Sequence, residues 1–248
     1  MYRSDQSDAA LARAVATEAG ELLLAIRARG GDRATLGARG DREADDLIQA
    51  RLRAARPDDF ILSEESLDDR QRCAASRVWV VDPLDGTREY AEGRDDWAVH
   101  IGLSVDGLPL SGAVALPSAE MVFATDDDRA PMPPPPERPR MVVSRTRRPP
   151  IAERVGTALN AALVPMGSAG AKAMAVVAGR ADIYLHDGGQ YEWDNCAPVA
   201  VALAAGLHAS RIDGGPLRYN CEDPLLPDLL ICRPELAPQV LRLIRDLA

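Results

Sequence analysis

The chain has 248 residues, 46% of them hydrophobic and 27% charged, with a formal net charge of −9. That composition suits a soluble globular protein with room for one large core or two smaller ones. The acidic balance argues against nonspecific binding to nucleic-acid polymers or membrane surfaces, which need a basic face. Four scattered cysteines (Cys73, Cys196, Cys221, Cys232) and three histidines (His100, His186, His208) show no zinc-type spacing. With no signal-peptide core at the N-terminus and no membrane-length apolar run, the expectation is a cytoplasmic protein with reduced thiols.

Leu11, Val15, Ala19, Leu22 and Ile26 recur at helical spacing, so residues about 7–29 predict an amphipathic helix that Gly30-Gly31 ends. The polar, glycine-containing stretch 32–40 reads as a loop. Asp41 then stands where a helix cap belongs, before the stripe Ala44, Leu47, Ile48, Leu52 and Ala55, with Pro57 closing that helix. Phe60-Ile61-Leu62 is a short strand ending in Ser63-Glu64-Glu65-Ser66. Val78-Trp79-Val80-Val81 is a second, broken at once by Pro83 and Gly86.

Val99, Ile101, Leu103 and Val105 alternate with polar or small residues, and Asp106-Gly107 signals a hairpin into strands at 113–116 and 121–124. His100 falls off the apolar face and reads as structural or solvent-facing. The first half is thus α+β with an antiparallel meander. Residues 131–139 hold near-consecutive prolines and predict an extended linker or surface loop. It divides the chain into an α+β part, 1–130, and an α/β part, 140–248.

In the second part Met141-Val142-Val143 is a strand leading into the basic run Ser144-Arg145-Thr146-Arg147-Arg148. A helix is expected over about 150–163, and Gly167-Ser168-Ala169-Gly170 opens another that carries Lys172 and ends at Gly179. Residues 181–185 read as a strand, Asp187-Gly188-Gly189 as a turn, and Asp194 as the cap of an alanine-rich helix with Pro198 in its first turn. A final amphipathic helix covers 235–247.

Chemistry concentrates at Asp82-Pro83-Leu84-Asp85-Gly86-Thr87. Two carboxylates held this close repel unless a cation lies between them. The Gly86–Thr87 amides open a helical turn, which favours an anion such as phosphate. Asp41, Glu64, Asp82, Asp85 and Asp194 each lie at a strand end or helix start, where carboxylates from separate segments converge. An all-oxygen set suits Mg²⁺ or Mn²⁺ rather than zinc. Two such ions about 3.5–4 Å apart would clamp a phosphoryl group and activate a water.

Leu62-Ser63-Glu64-Glu65-Ser66, Trp79-Val80-Val81-Asp82-Pro83-Leu84-Asp85-Gly86-Thr87 and Glu192-Trp193-Asp194-Asn195-Cys196-Ala197-Pro198 resemble the three signature blocks of the inositol monophosphatase superfamily. These are lithium-sensitive, Mg²⁺-dependent phosphatases, and the resemblance runs over nearly the whole chain. It implies a layered α-β-α-β-α sandwich of the sugar-phosphatase type, a homodimer, and two or three Mg²⁺ ions per site. Glu64, Asp82 and the Leu84 carbonyl would hold one ion; Asp82, Asp85 and Asp194 would hold a second, with Asp82 shared. Glu65 would support the site or hold a third ion, and Asp41 with Thr87 would orient and deprotonate the attacking water. The Gly86 and Thr87 amides would receive the phosphate. One departure stands out, because the threonine that usually precedes the first aspartate is missing from Leu36-Gly37-Ala38-Arg39-Gly40-Asp41.

Within the superfamily, the lysine of Gly167-Ser168-Ala169-Gly170-Ala171-Lys172 resembles that of 3′(2′),5′-bisphosphate nucleotidases of the CysQ type, as does the Ser144-Arg145-Thr146-Arg147 segment. A second cation suits a substrate with two phosphates, one hydrolysed and one held. The implied substrate is 3′-phosphoadenosine 5′-phosphate or its sulfated form, in sulfate assimilation, with Ser144, Arg145, Ser168 and Lys172 among the binding residues. His186 stands where those nucleotidases carry a basic residue, open between a phosphate contact and a surface histidine. The alternatives are an inositol-1-phosphate or fructose-1,6-bisphosphate phosphatase and, in another class, a non-catalytic module binding metal or phosphonucleotides.

Overall fold

The computed structural model describes residues 6–129 and 132–248. The extreme N-terminus, 1–5, and residues 130–131, at the start of the proline-rich segment, lie outside the described residues. Helix α1 (Asp8–Arg29) buries Leu11, Val15, Ala19, Leu23 and Ile26, while Leu22 sits at the edge of the buried face. Helix α2 spans Arg33–Ala55, so the stretch expected as a loop is helical. Its cap is Asp32, whose carboxylate accepts from the Ala34 amide at 3.1 Å, and Asp41 lies inside the helix. The glycines that suggest a loop serve packing instead. A methyl at Gly37 would meet Thr87 Cγ2 at 2.6 Å, and one at Gly40 would meet Leu84 Cδ2 at 3.2 Å. Bare backbone lets α2 press against the Leu84–Thr87 loop, and burial of its apolar stripe outweighs the helix propensity lost at glycine.

Strands β1 (Phe60–Ser63), β2 (Arg77–Asp85), β3 (Ala98–Val105), β4 (Leu108–Leu116) and β5 (Met121–Ala124) form one sheet in that order. Strand β1 runs parallel to β2 and the remaining pairs are antiparallel, as expected of a meander. The short helix α3 (Thr87–Ala91) follows β2. The second sheet contains β6 (Arg140–Ser144), β7 (Ala162–Met166), β8 (Ile183–Tyr191), β9 (His208–Ser210) and β10 (Leu225–Cys232), ordered β7-β6-β8-β10-β9. Four expectations change here. Helix α4 (Pro150–Ala158) stops short of 163, and β7 takes up the chain from Ala162. Asp187-Gly188-Gly189 lies within β8, which runs on to Tyr191. Strands β9 and β10 have no counterpart in the sequence reading, and Pro198 falls inside helix α6 (Glu192–Ala204), beyond its first turn.

Helices α1 and α2 cover the outer face of the first sheet. Helices α5 (Ala169–Val177) and α6 lie between the sheets, and α4 with α7 (Ala237–Leu247) cover the outer face of the second. The layering is α-β-α-β-α, as expected. Its middle core joins Leu62, Val80, Ala98 and Val114 to Met174, Cys196 and Val201, and so draws on both sides of the proline-rich segment. Helix α6 approaches the first sheet at Gly102, where a methyl would meet the Ala197 amide at 2.8 Å.

The proline-rich segment is tied down by a buried ion-pair network. Asp182, fully buried, accepts from Arg233 Nε at 2.7 Å and from Arg140 Nε at 3.0 Å, and Arg233 donates onward to the Pro133 carbonyl at 2.7 Å. Burial pushes the Asp182 carboxyl up, but the hydrogen bonds from Arg140 and Arg233 outweigh it and hold the group below its ordinary value of 3.8. A carboxyl depressed in the folded state contributes stability above its unfolded value, and that stability drains away as pH falls through the folded value. Asp182→Asn is expected to cost about 3 kcal/mol at pH 7, since it leaves two arginines without their partner. It should also flatten the acid limb of the stability curve below about pH 4. Urea unfolding from neutral pH down through that limb measures both, and an unchanged acid limb would rule the assignment out.

Candidate active site

Side chains alternate along a strand, so Asp82 and Asp85 would ordinarily face opposite sides of the sheet. A bulge brings them together. Asp82 pairs with His100 and Asp85 with Ala98, so Pro83 and Leu84 oppose the single residue Val99. The extra residue resets the alternation, and Pro83, which has no amide to donate, is tolerated because it sits in the bulge. This corrects the expectation that Pro83 ends the strand. Asp194 arrives from α6, not as its cap but at the third helical position, with Oδ2 accepting from the Tyr191 amide at 2.6 Å. Oxygens of Asp82, Asp85 and Asp194 all lie within 4.8 Å of one another.

Two further segments bring carboxylates to this trio. The Glu64 amide donates to the Val81 carbonyl at 3.3 Å, which zips the β1 exit onto β2, and the Glu64 carboxyl reaches Asp82. Asp45 holds that exit in place, accepting from Ser63 Oγ at 2.5 Å, Ser66 Oγ at 2.6 Å and Gln49 Nε2 at 2.7 Å. Glu65 is exposed beside it. One turn before Asp45 on α2, Asp41 is buried with Oδ1 3.5 Å from Thr87 Oγ1, while that hydroxyl lies closer, at 3.1 Å, to the Leu84 carbonyl.

The electrostatics match a cation seat. Burial, then the charges of Glu65 and Glu64, push Asp41 up to about 8. Burial and Asp194 push Glu64 up to about 7, and burial with Asp85 pushes Asp194 up to about 6. Asp82 is raised well above the ordinary range by burial and by Glu64. Carboxylates crowded without compensating charge are what a bound divalent ion relieves. The donor set fits a hard cation, because it contains oxygen alone.

Asp85 is the exception. Burial pushes it up, but His100, Lys172 and the Gly170 amide outweigh this and hold it below the ordinary value. His100 is fully buried, not solvent-facing: Nε2 lies 3.2 Å from Asp85 Oδ2, and Nδ1 lies 3.0 Å from the Trp193 carbonyl. It thereby links the end of β2 to the first turn of α6. The Ala169 and Gly170 amides donate to Asp85 at 3.1 and 2.6 Å, which brings in the start of α5. A methyl at Gly170 would sit 2.1 Å from His100 Nε2. Gly170→Ala gains about 1 kcal/mol of helix propensity but must displace a buried ring, at about 1–3 kcal/mol. A net loss of stability is expected in urea titrations, and a midpoint at or above that of the parent would disprove it.

Beside the acids opens a cavity of about 580 Å³, lined by Asp85, Gly86, Thr87, Ser168, Lys172 and Asp194 among the expected residues. Lys172 is buried; Nζ donates to the Gly167 carbonyl and, at 2.7 Å, to the Ser168 carbonyl, and lies 5.3 Å from the centre of the Tyr184 ring. Burial pushes it down to about 8. Ser144 also lines the cavity, whereas Arg145 does not: its guanidinium pairs with Glu89 at 2.6 Å and Glu92 at 2.7 Å. Arg147, Thr146, Arg88, His186 and Gln190 line it too; the sequence names Thr146 and Arg147 only within the basic segment and leaves His186 open, and it does not single out Arg88 or Gln190.

Comparison with known proteins places these features. Residues 5–247 match the Inositol monophosphatase family. A Mycobacterium leprae protein named 3′-phosphoadenosine 5′-phosphate phosphatase is 51% identical, covering 99% of this chain and 96% of that one. Its Mycobacterium tuberculosis namesake is 53% identical over 92% of this chain and 90% of its own length. Among solved structures, CysQ from Bacteroides thetaiotaomicron, described as a bacterial member of the inositol monophosphatase family, superimposes with a TM-score of 0.79 at 28% identity, covering 92% of this chain and 98% of that one. The chain belongs to the inositol monophosphatase family.

Proposed function

We propose that this protein is a Mg²⁺-dependent phosphatase that hydrolyses the 3′-phosphate of 3′-phosphoadenosine 5′-phosphate to give AMP and phosphate. The observation that carries the reading is a crowded carboxylate cluster beside one cavity whose lining includes the cations Lys172 and Arg147. One phosphate needs the cluster and its metal; the other needs only a cationic hold. The names of the mycobacterial relatives support the same substrate.

Glu64, Asp82 and the Leu84 carbonyl would hold one ion, and Asp82, Asp85 and Asp194 another, with Glu65 as a supporting group or third-ion ligand. Bound there, divalent ions neutralise the phosphoryl oxygens and lower the pKa of an attacking water. Asp41 and Thr87 would orient that water, and the Asp41 carboxylate, once the ions relieve its crowding by Glu64 and Glu65, would take its proton. The Gly86 and Thr87 amides hold phosphoryl oxygens at the entry to α3. Lys172 and Arg147 orient the second phosphate, which fixes the distance between held and reacting groups. The same reading extends to the sulfated nucleotide, to lithium inhibition, and to a cytoplasmic role in sulfate assimilation.

Phosphate release from 3′-phosphoadenosine 5′-phosphate, inositol 1-phosphate and fructose 1,6-bisphosphate, each with Mg²⁺, with added Li⁺ and with EDTA, tests it. The highest kcat/KM is expected on the bisphosphonucleotide, with none of the three turned over in EDTA. A preference for inositol 1-phosphate would replace the nucleotide reading with the inositol one.

A further inference from the structure

His186 lines the cavity beside Lys172 and Arg147, is 7% exposed, and takes no part in the steps above. Its Nε2 lies 2.9 Å from the Gly188 carbonyl. A carbonyl only accepts, so the ring proton resides on Nε2. The same carbonyl accepts from Arg147 Nη2 at 3.2 Å, which ties the two side chains to one anchor. Gly188 and Gly189 make that geometry with φ of +83° and +82°, a backbone that side-chain-bearing residues rarely adopt.

Among the described residues the ring's hydrogen bond runs through Nε2, and none is made by the second ring nitrogen, Nδ1. With Nε2 taken by Gly188 and the ring in the cavity lining, Nδ1 is the nitrogen left for a ligand there. Burial, with the nearby charges of Lys172 and Arg147, pushes the imidazole down to about 4, against the pull of Asp228 and the Gly188 bond. The ring is neutral at pH 7, and a neutral imidazole with its proton on Nε2 has a lone pair on Nδ1. His186 therefore does not substitute for a basic residue. A lone pair repels a phosphate oxygen and attracts a hydrogen-bond donor.

We propose that His186 is a specificity-determining residue of this cavity, with Nδ1 accepting a hydrogen bond from an O–H or N–H donor on the nucleoside of the substrate. This rests on the nucleotide reading given above. An adenosine bisphosphate offers two such donors, the ribose 2′-hydroxyl and the exocyclic amine of the base. Lys172 and Arg147 hold charge, while His186 reads the uncharged part of the molecule.

The test compares wild type, His186→Phe and His186→Gln on adenosine 3′,5′-bisphosphate and on its 2′-deoxy and inosine analogues, with melting temperatures as the folding control. Wild type is expected to lose about 10-fold in kcat/KM, mostly in KM, on the analogue that lacks the recognised donor. His186→Phe should show the same loss on the parent substrate and no further loss on that analogue. His186→Gln, which keeps an N–H for Gly188 and an oxygen acceptor, should recover most of the difference. Loss on the deoxy analogue identifies the hydroxyl, and loss on the inosine analogue identifies the amine. Equal wild-type rates on all three substrates, or discrimination that survives His186→Phe, would overturn the proposal while leaving the phosphatase reading intact. Turnover of inositol 1-phosphate with none of any bisphosphonucleotide would overturn both.

Discussion

Asp82→Asn is expected to raise the melting temperature of the metal-free protein and at the same time to lower phosphatase turnover by about 10³-fold or more. The two effects have one origin. Asp82 is 1% exposed and held well above the ordinary carboxylate range by burial and by Glu64, Asp85 and Asp194. A carboxyl whose folded pKa is raised makes the folded chain less stable as pH climbs past the unfolded value near 3.8. Asparagine removes that repulsion and still offers an oxygen to the Leu84 amide, which donates to Asp82 at 3.0 Å. The variant loses the carboxylate proposed to be shared between two ions. Where a ligand at 100 times its Kd stabilises a protein by about 2.7 kcal/mol, the divalent-ion-induced rise in melting temperature should shrink or vanish. Calorimetry with and without Mg²⁺ reads the first effect and phosphate release the second. Wild-type-like turnover would refute the two-ion assignment, and a lower metal-free melting temperature would refute the account of crowding.

Lys172→Met is expected to cost about 10²-fold in kcat/KM on 3′-phosphoadenosine 5′-phosphate and little on inositol 1-phosphate. Truncating a buried charge that pairs with an anion costs about 2–5 kcal/mol, of which 1.4 kcal/mol corresponds to a factor of ten. Two of the three ammonium protons go to the Gly167 and Ser168 carbonyls, so one remains for an anion. A lysine pushed down to about 8 by burial is still mostly charged at pH 7, and a phosphate beside it raises that fraction. Methionine keeps the length and the contact with Tyr184 without the charge. Kinetics on the two substrates, with melting temperature as control, separate the outcomes. Equal losses on both would mean that Lys172 supports the loop rather than the second phosphate.

Arg145 and Arg147 illustrate how far a basic run can be read. Both come within three residues of the end of β6, and nothing in their order says which one meets a partner on its own chain. Glu89 and Glu92, more than fifty residues away on and after α3, take Arg145, and this leaves Arg147 for the cavity. His100 is a second case. Its position off the apolar alternation admits either a solvated or a buried role, and only the arrival of α6, with the Trp193 carbonyl, closes it in.

The chain's own order determined its family, its layered architecture and the acidic segments that build the site. Apolar stripes at periods of two and 3.6 decide which faces are buried, and the Asp82–Thr87 block is chemically informative as written. Element ends and side-chain facing were another matter. Glycine in α2 looks like a break until its packing against Leu84 and Thr87 is known, and Pro83 looks like a strand end until the bulge opposite Val99 absorbs it. Only the tertiary structure decided that Asp82 and Asp85 share a face, that Asp85 lies beside His100 and two α5 amides, and that His186 is neutral. Those outcomes depend on burial and on neighbours distant in sequence, and local pattern carries neither.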